Sequence, residues 1–431
     1  DEKKNDMKVL LISANTEMMN MPTIPVGLGC IAEALSLEGH RVRLLDLLVE
    51  KDPLGAVTSA LAEAPPGLIG ISLRNIDDQN MQAPRFLLEG AKAVVSCCRQ
   101  NAKAPIVLGG AGYSIFPTAC LDYLDADFGI QGEGEAAMCA VADAIQAGET
   151  PTAIPGVFFP RGRKGAMRPE RIRNLGRFPL PAPDWFPVSR YRAAEMWLPF
   201  QTRRGCPLKC SYCSTPAIEG TRIRRRSVDA AVDSLRRWAD AGFRQVFFVD
   251  NTFNLPPSFA RRLCARLAEE RLDLSWRAIV YPGGLDKDLV RDMARSGCRE
   301  VSLGFESGDP QMLAAMNKRF GPEDIQAAVR LFAKQGIRQM GFLLLGGPGE
   351  TRASVERSLA FVDALQMDAV KLTVGIRIYP ETRVAEIARE KKMIDAEDDL
   401  LFPKFYLEPG LEDWLPHVAA AWAEQRPNWF Y

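Results

Sequence analysis

The first third of the chain alternates short apolar runs with segments of helical periodicity. Five short runs are mainly apolar and bounded by polar or turn residues, a pattern typical of strands in a buried parallel sheet: 7–13, 41–46, 67–73, 105–110 and 127–130. Helices are predicted around them at 27–37, 53–64, 83–99 and 133–147. The series predicts a doubly wound, Rossmann-like α/β domain over residues 7–150.

A second alternation begins near residue 200. Six strands are predicted, at 200–203, 245–250, 274–280, 300–305, 338–345 and 369–378. Amphipathic helices separate them at 228–241, 258–270, 287–296, 322–336 and 352–365. Residues 200–380 therefore form six strand–helix units, in which chemistry is expected at the carboxyl ends of the strands.

Two further segments lack this alternation. Residues 151–199 include the stretch 178–187, which is too rich in proline for a helix or a central strand. We interpret this region as an interdomain linker anchored by Trp185 and Phe186. Residues 381–431 contain one more predicted helix and an aromatic tail. They are interpreted as a C-terminal cap that either lines a substrate pocket or packs on the outside of the second domain.

The charge of the chain is balanced, with 54 Lys plus Arg against 54 Asp plus Glu. This balance favours neither a nucleic-acid nor a membrane partner, and the basic run 222–226 is interpreted as a solvated face or a carboxylate contact. No apolar stretch reaches the roughly 18 residues of a membrane-spanning helix, and the N-terminus lacks a signal-peptide core. The ten cysteines do not suggest a disulfide scaffold. We therefore expect a cytoplasmic protein.

Three cysteines near the middle of the chain, Cys206, Cys210 and Cys213, have CxxxCxxC spacing and follow a predicted strand. Thiolates at this spacing can hold three corners of a cuboidal [4Fe-4S] cluster and leave the fourth iron open to an exogenous ligand. A tetrahedral zinc site would require a fourth Cys or His nearby, and none follows until Cys264. The motif therefore favours an iron–sulfur centre over zinc.

The motif and its surroundings, RGCPLKCSYC, closely resemble the radical S-adenosylmethionine (SAM) superfamily. The resemblance implies that the second domain is a partial (β/α)6 barrel of the TIM type. It also implies that the amino and carboxylate groups of SAM chelate the open iron. An electron donor such as flavodoxin or ferredoxin would then be a partner.

Glycine- and serine-rich turns follow several strands of the first domain, at the edge where open parallel sheets bind ligands. They include SLRNID (Ser72–Asp77), GGAGYS (Gly109–Ser114) and GEGE (Gly132–Glu135). Glycines there allow the backbone to approach a flat ligand, although a tight turn by itself also needs glycine. Together with the cluster motif, these turns make essentially the whole chain resemble the cobalamin-dependent radical SAM enzymes.

The implied cobalamin site departs from the methionine-synthase type, which carries a DxHxxG motif. The chain has only His40 and His417, and neither stands in such a motif. The resemblance therefore implies a base-off corrin without a histidine ligand. The candidates to face its lower side, if they do not merely cap a loop, are Arg74, Asn75 and Asp77. Further corrin-binding candidates from the turns are Gly109, Gly110, Gly112, Tyr113, Ser114, Gly132 and Glu133.

The resemblance also assigns candidates for SAM and substrate contacts in the second domain. The cofactor-binding candidates are Asp250 and Asn251 for the SAM amino group, Ser302 for the ribose and Leu344 for the adenine. The catalytic candidates are Glu306, Arg377 and Tyr379. For the polar residues among them, helix capping or packing inside the barrel is an open alternative.

The resemblance implies a methyltransferase that moves a methyl group from SAM through methylcobalamin to a carbon. The expected substrate is a small molecule or is derived from a peptide, and the resemblance implies a role in natural-product biosynthesis. A cyclase or rearrangement enzyme without methyl transfer is the alternative, followed by a non-catalytic cobalamin or iron–sulfur sensor. A tRNA methylthiotransferase is disfavoured, because its second cysteine set and basic tail are missing.

Overall fold

The computed structural model describes residues 6–18, 22–161 and 169–431, so parts of the predicted first domain and linker lie outside it. The strands are β1 (Lys8–Ser13), β2 (Arg41–Asp46), β3 (Leu68–Ser72), β4 (Ile106–Gly109), β5 (Phe128–Ile130), β6 (Val157–Phe158), β7 (Leu198–Phe200), β8 (Arg203–Arg204), β9 (Arg224–Arg225), β10 (Gln245–Phe248), β11 (Ser275–Val280), β12 (Cys298–Glu306), β13 (Arg338–Leu345), β14 (Ala369–Val374), β15 (Ile376–Arg377), β16 (Phe405–Tyr406) and β17 (Trp429–Phe430).

The α-helices are α1 (Val26–Leu37), α2 (Pro53–Glu63), α3 (Leu88–Asn101), α4 (Ala111–Ile115), α5 (Pro117–Leu124), α6 (Glu135–Gln146), α7 (Val188–Ala193), α8 (Thr215–Glu219), α9 (Val228–Asp240), α10 (Pro257–Glu270), α11 (Lys287–Arg295), α12 (Pro310–Ala315), α13 (Pro322–Lys334), α14 (Arg352–Ala364), α15 (Arg383–Glu390) and α16 (Leu415–Glu424). No helix among the described residues is both long and apolar enough to cross a bilayer.

The first domain is an open sheet with strand order β2-β1-β3-β4-β5-β6. All neighbours pair in parallel except β6, which runs antiparallel to β5. The order reverses between β1 and β3, and such a switch point opens a crevice at the carboxyl ends of the two strands. The doubly wound domain predicted from the apolar runs is therefore confirmed.

The two faces of this sheet bury different helices. On one face Val9 and Leu11 pack with α1 and α6. On the other, Leu10 and Ile12 pack with α2, α3 and α5, and also with residues from the far end of the chain, including α15. Because successive side chains of β1 point to opposite faces of the sheet, one face packs on helices of the first domain. The other face belongs to a core that also includes residues from the second half of the chain.

The second domain is a seven-stranded parallel sheet with the order β17-β14-β13-β12-β11-β10-β7. Six of these strands belong to successive strand–helix units, as the periodicity predicts, and the two edge strands do not pair with each other, so the barrel is partial. In β12, Val301, Leu303 and Phe305 are buried beneath the helices. Ser302 and Glu306 alternate with them and are partly exposed on the opposite face.

Several short elements were not predicted from the sequence, among them α4, α5 and β17. Helices α4 and α5 fill the connection between β4 and β5, which has too few residues per helix for a clear periodicity. Strand β17 is only two residues long, and it pairs in parallel with β14 at the edge of the barrel.

The proline-rich linker binds both domains. Trp185 donates an indole hydrogen bond to Glu33 of α1 at 2.6 Å, and Phe186 packs so closely on Gly29 that a β-carbon there would lie 2.4 Å from its ring. Tyr191, fully buried in α7, donates to Asp46 at the end of β2 at 2.6 Å. Phe186 also packs on Trp238 of α9, with 5.5 Å between ring centroids, so the linker contacts both the first domain and the barrel.

A buried ion pair adds a second tie between the domains. Arg377 of β15 donates to Asp77 at 2.8 Å, and both side chains are almost inaccessible to solvent. The same guanidinium donates to the carbonyl oxygens of Ile378, Leu400 and Leu401. Each of its three nitrogens therefore donates to a protein acceptor.

We expect Arg377→Met to lower the free energy of unfolding by about 3–5 kcal/mol, because it leaves the Asp77 carboxylate buried without a partner. The control is Arg383→Met, since Arg383 pairs with Glu386 and Glu390 on the exposed face of α15 and such pairs contribute little. Urea denaturation followed by tryptophan fluorescence measures both. Equal losses in the two variants would contradict the structural role of the buried pair.

Candidate functional site

The three cysteines lie in one loop after β7, at the carboxyl edge of the barrel. Cys206 is buried and Cys210 and Cys213 are partly exposed. Among the described residues, no three His, Cys, Asp or Glu side chains converge tightly enough to hold a single ion. The CxxxCxxC spacing in a single loop fits thiolates that each bind a different iron of a larger cluster. These three thiols therefore suit a [4Fe-4S] cluster.

The first half of this loop is held by buried carboxylates. Asp250, at the end of β10, accepts hydrogen bonds from the backbone N–H groups of Thr202 and Arg203 at 2.7 and 3.0 Å. Glu219 accepts the N–H of Gly205 at 2.9 Å. Gly205 has φ +88°, and a β-carbon there would lie 2.1 Å from the carbonyl oxygen of Arg222. Glycine is therefore required directly before Cys206.

The second half of the loop is held by the segment Met316–Lys318, which follows α12. The Ser211 N–H donates to the Met316 carbonyl oxygen at 3.2 Å, and the Asn317 side chain donates to the carbonyl oxygen of Lys209 at 2.6 Å. From the opposite side, the N–H of Val384 in α15 donates to Ser211. The backbone between Cys206 and Cys213 is thus fixed from several elements.

A buried polar triad lies against the loop. The Lys318 ammonium donates to the Tyr212 hydroxyl at 2.9 Å and to the Glu306 carboxylate at 3.3 Å. The Tyr212 hydroxyl in turn donates to Glu306 at 2.9 Å. Burial raises the pKa of the Cys210 thiol, the Lys318 charge opposes that shift, and Glu306 adds to it. Both charges of the triad therefore act on a cluster ligand.

A cavity of about 440 Å³ lies where the first sheet meets the cluster loop, within the size range of ordinary cofactor pockets. One wall consists of β1, β3 and β4 at the switch point, with α1 beside them. The other wall comes from the second half of the chain, and includes Pro199, Gln201, Arg204, Phe247 and Val249. The cavity is therefore shared by both domains.

Two of the glycine-rich turns face this cavity. Gly109, Gly110, Gly132 and Glu133 line it. Gly110 has φ +99°, and a β-carbon there would lie 2.5 Å from the Leu73 carbonyl oxygen. Ser114 does not line the cavity, but its hydroxyl donates to the Gly110 carbonyl and accepts the Gly132 N–H, at 2.8 and 2.9 Å. It thereby holds the two turns together.

The three candidates after β3 have different environments. Arg74 lines the cavity, burial lowers the pKa of its guanidinium, and no carboxylate among the described residues lies within salt-bridge distance of it. Asn75 is exposed and lines a smaller neighbouring cavity. Asp77 points instead into the domain junction, where Arg377 neutralises it. Of these three candidates, Arg74 alone brings to the main cavity a charge that has no carboxylate partner among the described residues, which fits a cofactor with polar substituents.

Tyr113 and Gly112 lie behind the cavity wall. Tyr113 is fully buried, and its ring packs on Gly129, where a β-carbon would lie 2.3 Å from it. A β-carbon on Gly112 would lie 3.1 Å from the Arg74 carbonyl oxygen. These residues shape the turn and are not among those that line the cavity, which differs from the direct corrin contact expected of them.

The GEGE segment binds the second domain. Glu135, almost fully buried, accepts from the Arg204 guanidinium at 2.6 Å, and Glu133 pairs with Arg224 and accepts the Ile172 N–H at 2.8 Å. The Arg204–Glu135 attraction outweighs the cost of burial, so the pKa of Glu135 is lowered. Because Arg204 directly precedes Gly205 and Cys206, this pair joins the cavity wall to the cluster loop.

The expected SAM contacts occupy two kinds of position. Asp250 is fully buried beneath the loop, and Asn251 donates to Glu219 at 2.6 Å, so both support the loop instead of facing open space. Ser302 and Leu344 are partly exposed on the inward face of β12 and β13. Those two remain positioned to meet a ligand in the barrel.

Two of the three catalytic candidates contact the first domain. Arg377 is committed to Asp77 and to backbone carbonyls. Tyr379 stacks obliquely near Phe116 of the first domain, with 6.1 Å between ring centroids. Glu306 differs, because it is next to the cluster loop at the end of β12. Its φ of +68° follows an irregularity in the β12–β13 register.

Several residues of this site escaped the sequence analysis. Tyr212 is part of the motif RGCPLKCSYC but was not proposed as a site residue, and neither were Arg204, Glu135, Glu219 and Lys318. The two glutamates of GEGE and the two arginines before the motif could have indicated an ion pair between the domains, since buried charges of opposite sign are usually paired. Lys318 gave no such indication, because it lies over 100 residues from its partner Tyr212.

Comparison with protein families matches both halves of the chain. Residues 12–142 match the B12 binding domain, and residues 201–362 match the radical SAM superfamily. The chain is 28% identical over 400 residues to an uncharacterized methyltransferase of Pyrococcus horikoshii, covering 89% of this chain and 83% of that protein. It is 25% identical to the tryptophan 2-C-methyltransferase of Streptomyces laurentii, covering 88% and 74%.

A solved structure matches almost the entire fold. The radical SAM methyltransferase TsrM from Kitasatospora setae, with tryptophan and a SAM analogue bound, superposes with a TM-score of 0.86 at 25% identity, covering 97% of this chain and 89% of TsrM. Another structure of TsrM contains cobalamin and a [4Fe-4S] cluster. With its two matched domains, its cluster loop and its glycine-walled cavity, the chain belongs to the cobalamin-dependent radical SAM enzyme family.

Proposed function

We propose that this protein is a cobalamin-dependent radical SAM methyltransferase that transfers a methyl group from SAM to a carbon of a small-molecule or peptide-derived substrate. The observation that carries the proposal is the common wall of the two sites. Arg204 both lines the glycine-walled cavity and precedes the cluster cysteines, and Glu135 of the first domain holds it. Two cofactors bound there would face one another across the domain junction.

The cluster would be held by the thiolates of Cys206, Cys210 and Cys213. When bound, it supplies one-electron chemistry and a binding position for SAM. The protein's part is to orient the loop through Asp250 and Glu219 and to exclude water. Ser302 and Leu344, on the inward face of the barrel, are proposed to contact SAM, and Glu306 to lie near the reacting groups.

Cobalamin would lie against the glycine turns, with Arg74 as the polar contact to its lower side. When bound, it supplies a methyl carrier. Gly109, Gly110 and Gly132 allow close approach of the backbone, while Ser114 keeps their turns in register. The methyltransferase names of the relatives that match most of this chain support methyl transfer over cyclisation. The proposal also includes a small-molecule or peptide-derived substrate, a flavodoxin or ferredoxin as electron donor, and a cytoplasmic location for the protein.

The test is an anaerobic count of iron, sulfide and corrin on chain reconstituted with hydroxocobalamin, followed by reduction and addition of methyl-labelled SAM. About four irons and one base-off corrin per chain are expected, with label transferred to the corrin. Four irons without corrin would remove the methyltransferase proposal. Corrin without label transfer, together with cleaved SAM, would favour the cyclase or rearrangement alternative.

For the cluster ligands, we expect Cys210→Ala to abolish the visible absorption of the cluster, because two thiolates do not retain it. Cys97→Ala is the matched control, since Cys97 is a partly exposed cysteine of α3 far along the chain from the motif. Iron analysis and absorption spectra measure both variants. A full complement of iron in Cys210→Ala would contradict the assignment.

For the corrin contact, we expect Arg74→Met to weaken hydroxocobalamin binding by about 10- to 100-fold, the loss associated with a hydrogen bond from a charged group. Arg85→Met serves as the control, because Arg85 lies at the neighbouring rim and pairs with Glu17. Equilibrium dialysis gives the affinities, and the corrin spectrum reports its lower face. An unchanged affinity and spectrum in Arg74→Met would exclude this contact.

A further inference from the structure

The proposed function uses only Glu306 of the Lys318–Glu306–Tyr212 triad, although hydrogen bonds hold all three side chains together against the cluster loop. The Lys318 side chain is 5% exposed and that of Glu306 is 14% exposed. A lysine is rarely buried to this extent unless it is paired and hydrogen-bonded. Its ammonium has three acceptors within 3.3 Å: Tyr212, Gly304 and Glu306.

One member of the triad, Tyr212, belongs to the cluster loop, and the other two are hydrogen-bonded to it. Tyr212 lies between the second and third cysteines of the motif, and the residues just before Lys318 bind the backbone on either side of Cys210. Glu306 is held at φ +68°, a conformation that costs free energy for a residue other than glycine. The surrounding structure therefore maintains this arrangement against a local cost.

We propose that Lys318 is a positioning residue for the cluster: it orients Tyr212 within the cluster loop, and it cancels the charge of Glu306, which would otherwise lower the cluster's reduction potential. The inference rests on the cluster assignment within the proposed function. Potentials of iron–sulfur clusters respond to nearby charge, hydrogen bonds and solvent exposure. In a buried site these charges are weakly screened.

The signs of the effects follow from the charge of the added electron. Reduction makes the cluster more negative, so a neighbouring cation favours the reduced form and a neighbouring anion opposes it. Neutralising Lys318 should therefore lower the potential, and neutralising Glu306 should raise it. Removing both charges should return the potential towards that of the wild type. Opposite shifts from two residues in contact are not expected of general loosening of the fold.

The test is a redox titration of the reconstituted cluster, followed by electron paramagnetic resonance without SAM or cobalamin, on Lys318→Met, Glu306→Gln and the double variant. We expect a downward shift, an upward shift and a near-wild-type value, respectively. Tyr212→Phe keeps both charges and should leave the potential close to that of the wild type. A shift in Tyr212→Phe as large as that in Glu306→Gln would assign the effect to loop geometry and overturn the proposal.

The chain contains a matched control triad. Lys391 donates to the Tyr406 hydroxyl at 2.8 Å and to Glu408 at 2.6 Å, but it follows the C-terminal end of α15, roughly 12 Å along that helix from the end that contacts the loop. Lys391→Met should not change the potential. If Lys318→Met fails to load iron, Glu306→Gln decides alone, and an unshifted potential there overturns the proposal.

These outcomes are separable from those of the proposed function. A wild-type chain that binds a titratable cluster but transfers no methyl group would overturn the methyltransferase proposal and leave the role of Lys318 intact. A wild-type chain that binds no cluster would overturn both.

Discussion

The ion pair between Arg204 and Glu135 is the contact on which the arrangement of the two sites depends. Arg204 is adjacent in sequence to the loop that carries the cysteines, and Glu135 begins the helix that follows the last strand of the first parallel sheet. Both side chains are buried, so each charge needs the other. Glu133 and Arg224 repeat the link a short distance away. The wall of the cavity and the cluster loop therefore cannot be displaced independently.

Local patterns determine much of this structure, which is why the sequence predicts it well. Continuous apolar runs specify β1, β3 and β4 as buried parallel strands, and the alternation in β12 and β13 distinguishes helix-facing from inward-facing residues. The cysteine spacing identifies the loop that binds the cluster. Short elements such as α4 and β17 lack a full period, and their positions depend on partners elsewhere in the chain.

Side-chain roles were harder to predict, because a polar residue after a strand can face a ligand or a neighbouring domain. Asp77 and Arg377 were both expected to contact ligands, but they are 300 residues apart and bind each other. Asp250 and Asn251 support the loop from below. Arg74 is in the expected cavity. The position of each of these side chains depends on packing between distant parts of the chain, which local sequence patterns do not predict.

The core shared between the first sheet and α15 has a consequence for the evolution of this architecture. Leu10 and Ile12 pack on the same cluster as Val384 and Ala388. An isolated cobalamin module cut from this chain would lose the C-terminal members of that cluster and expose their apolar neighbours to water, which favours aggregation. We therefore expect recombination that exchanges the first domain between relatives to preserve folding best when the matching C-terminal helix is exchanged with it.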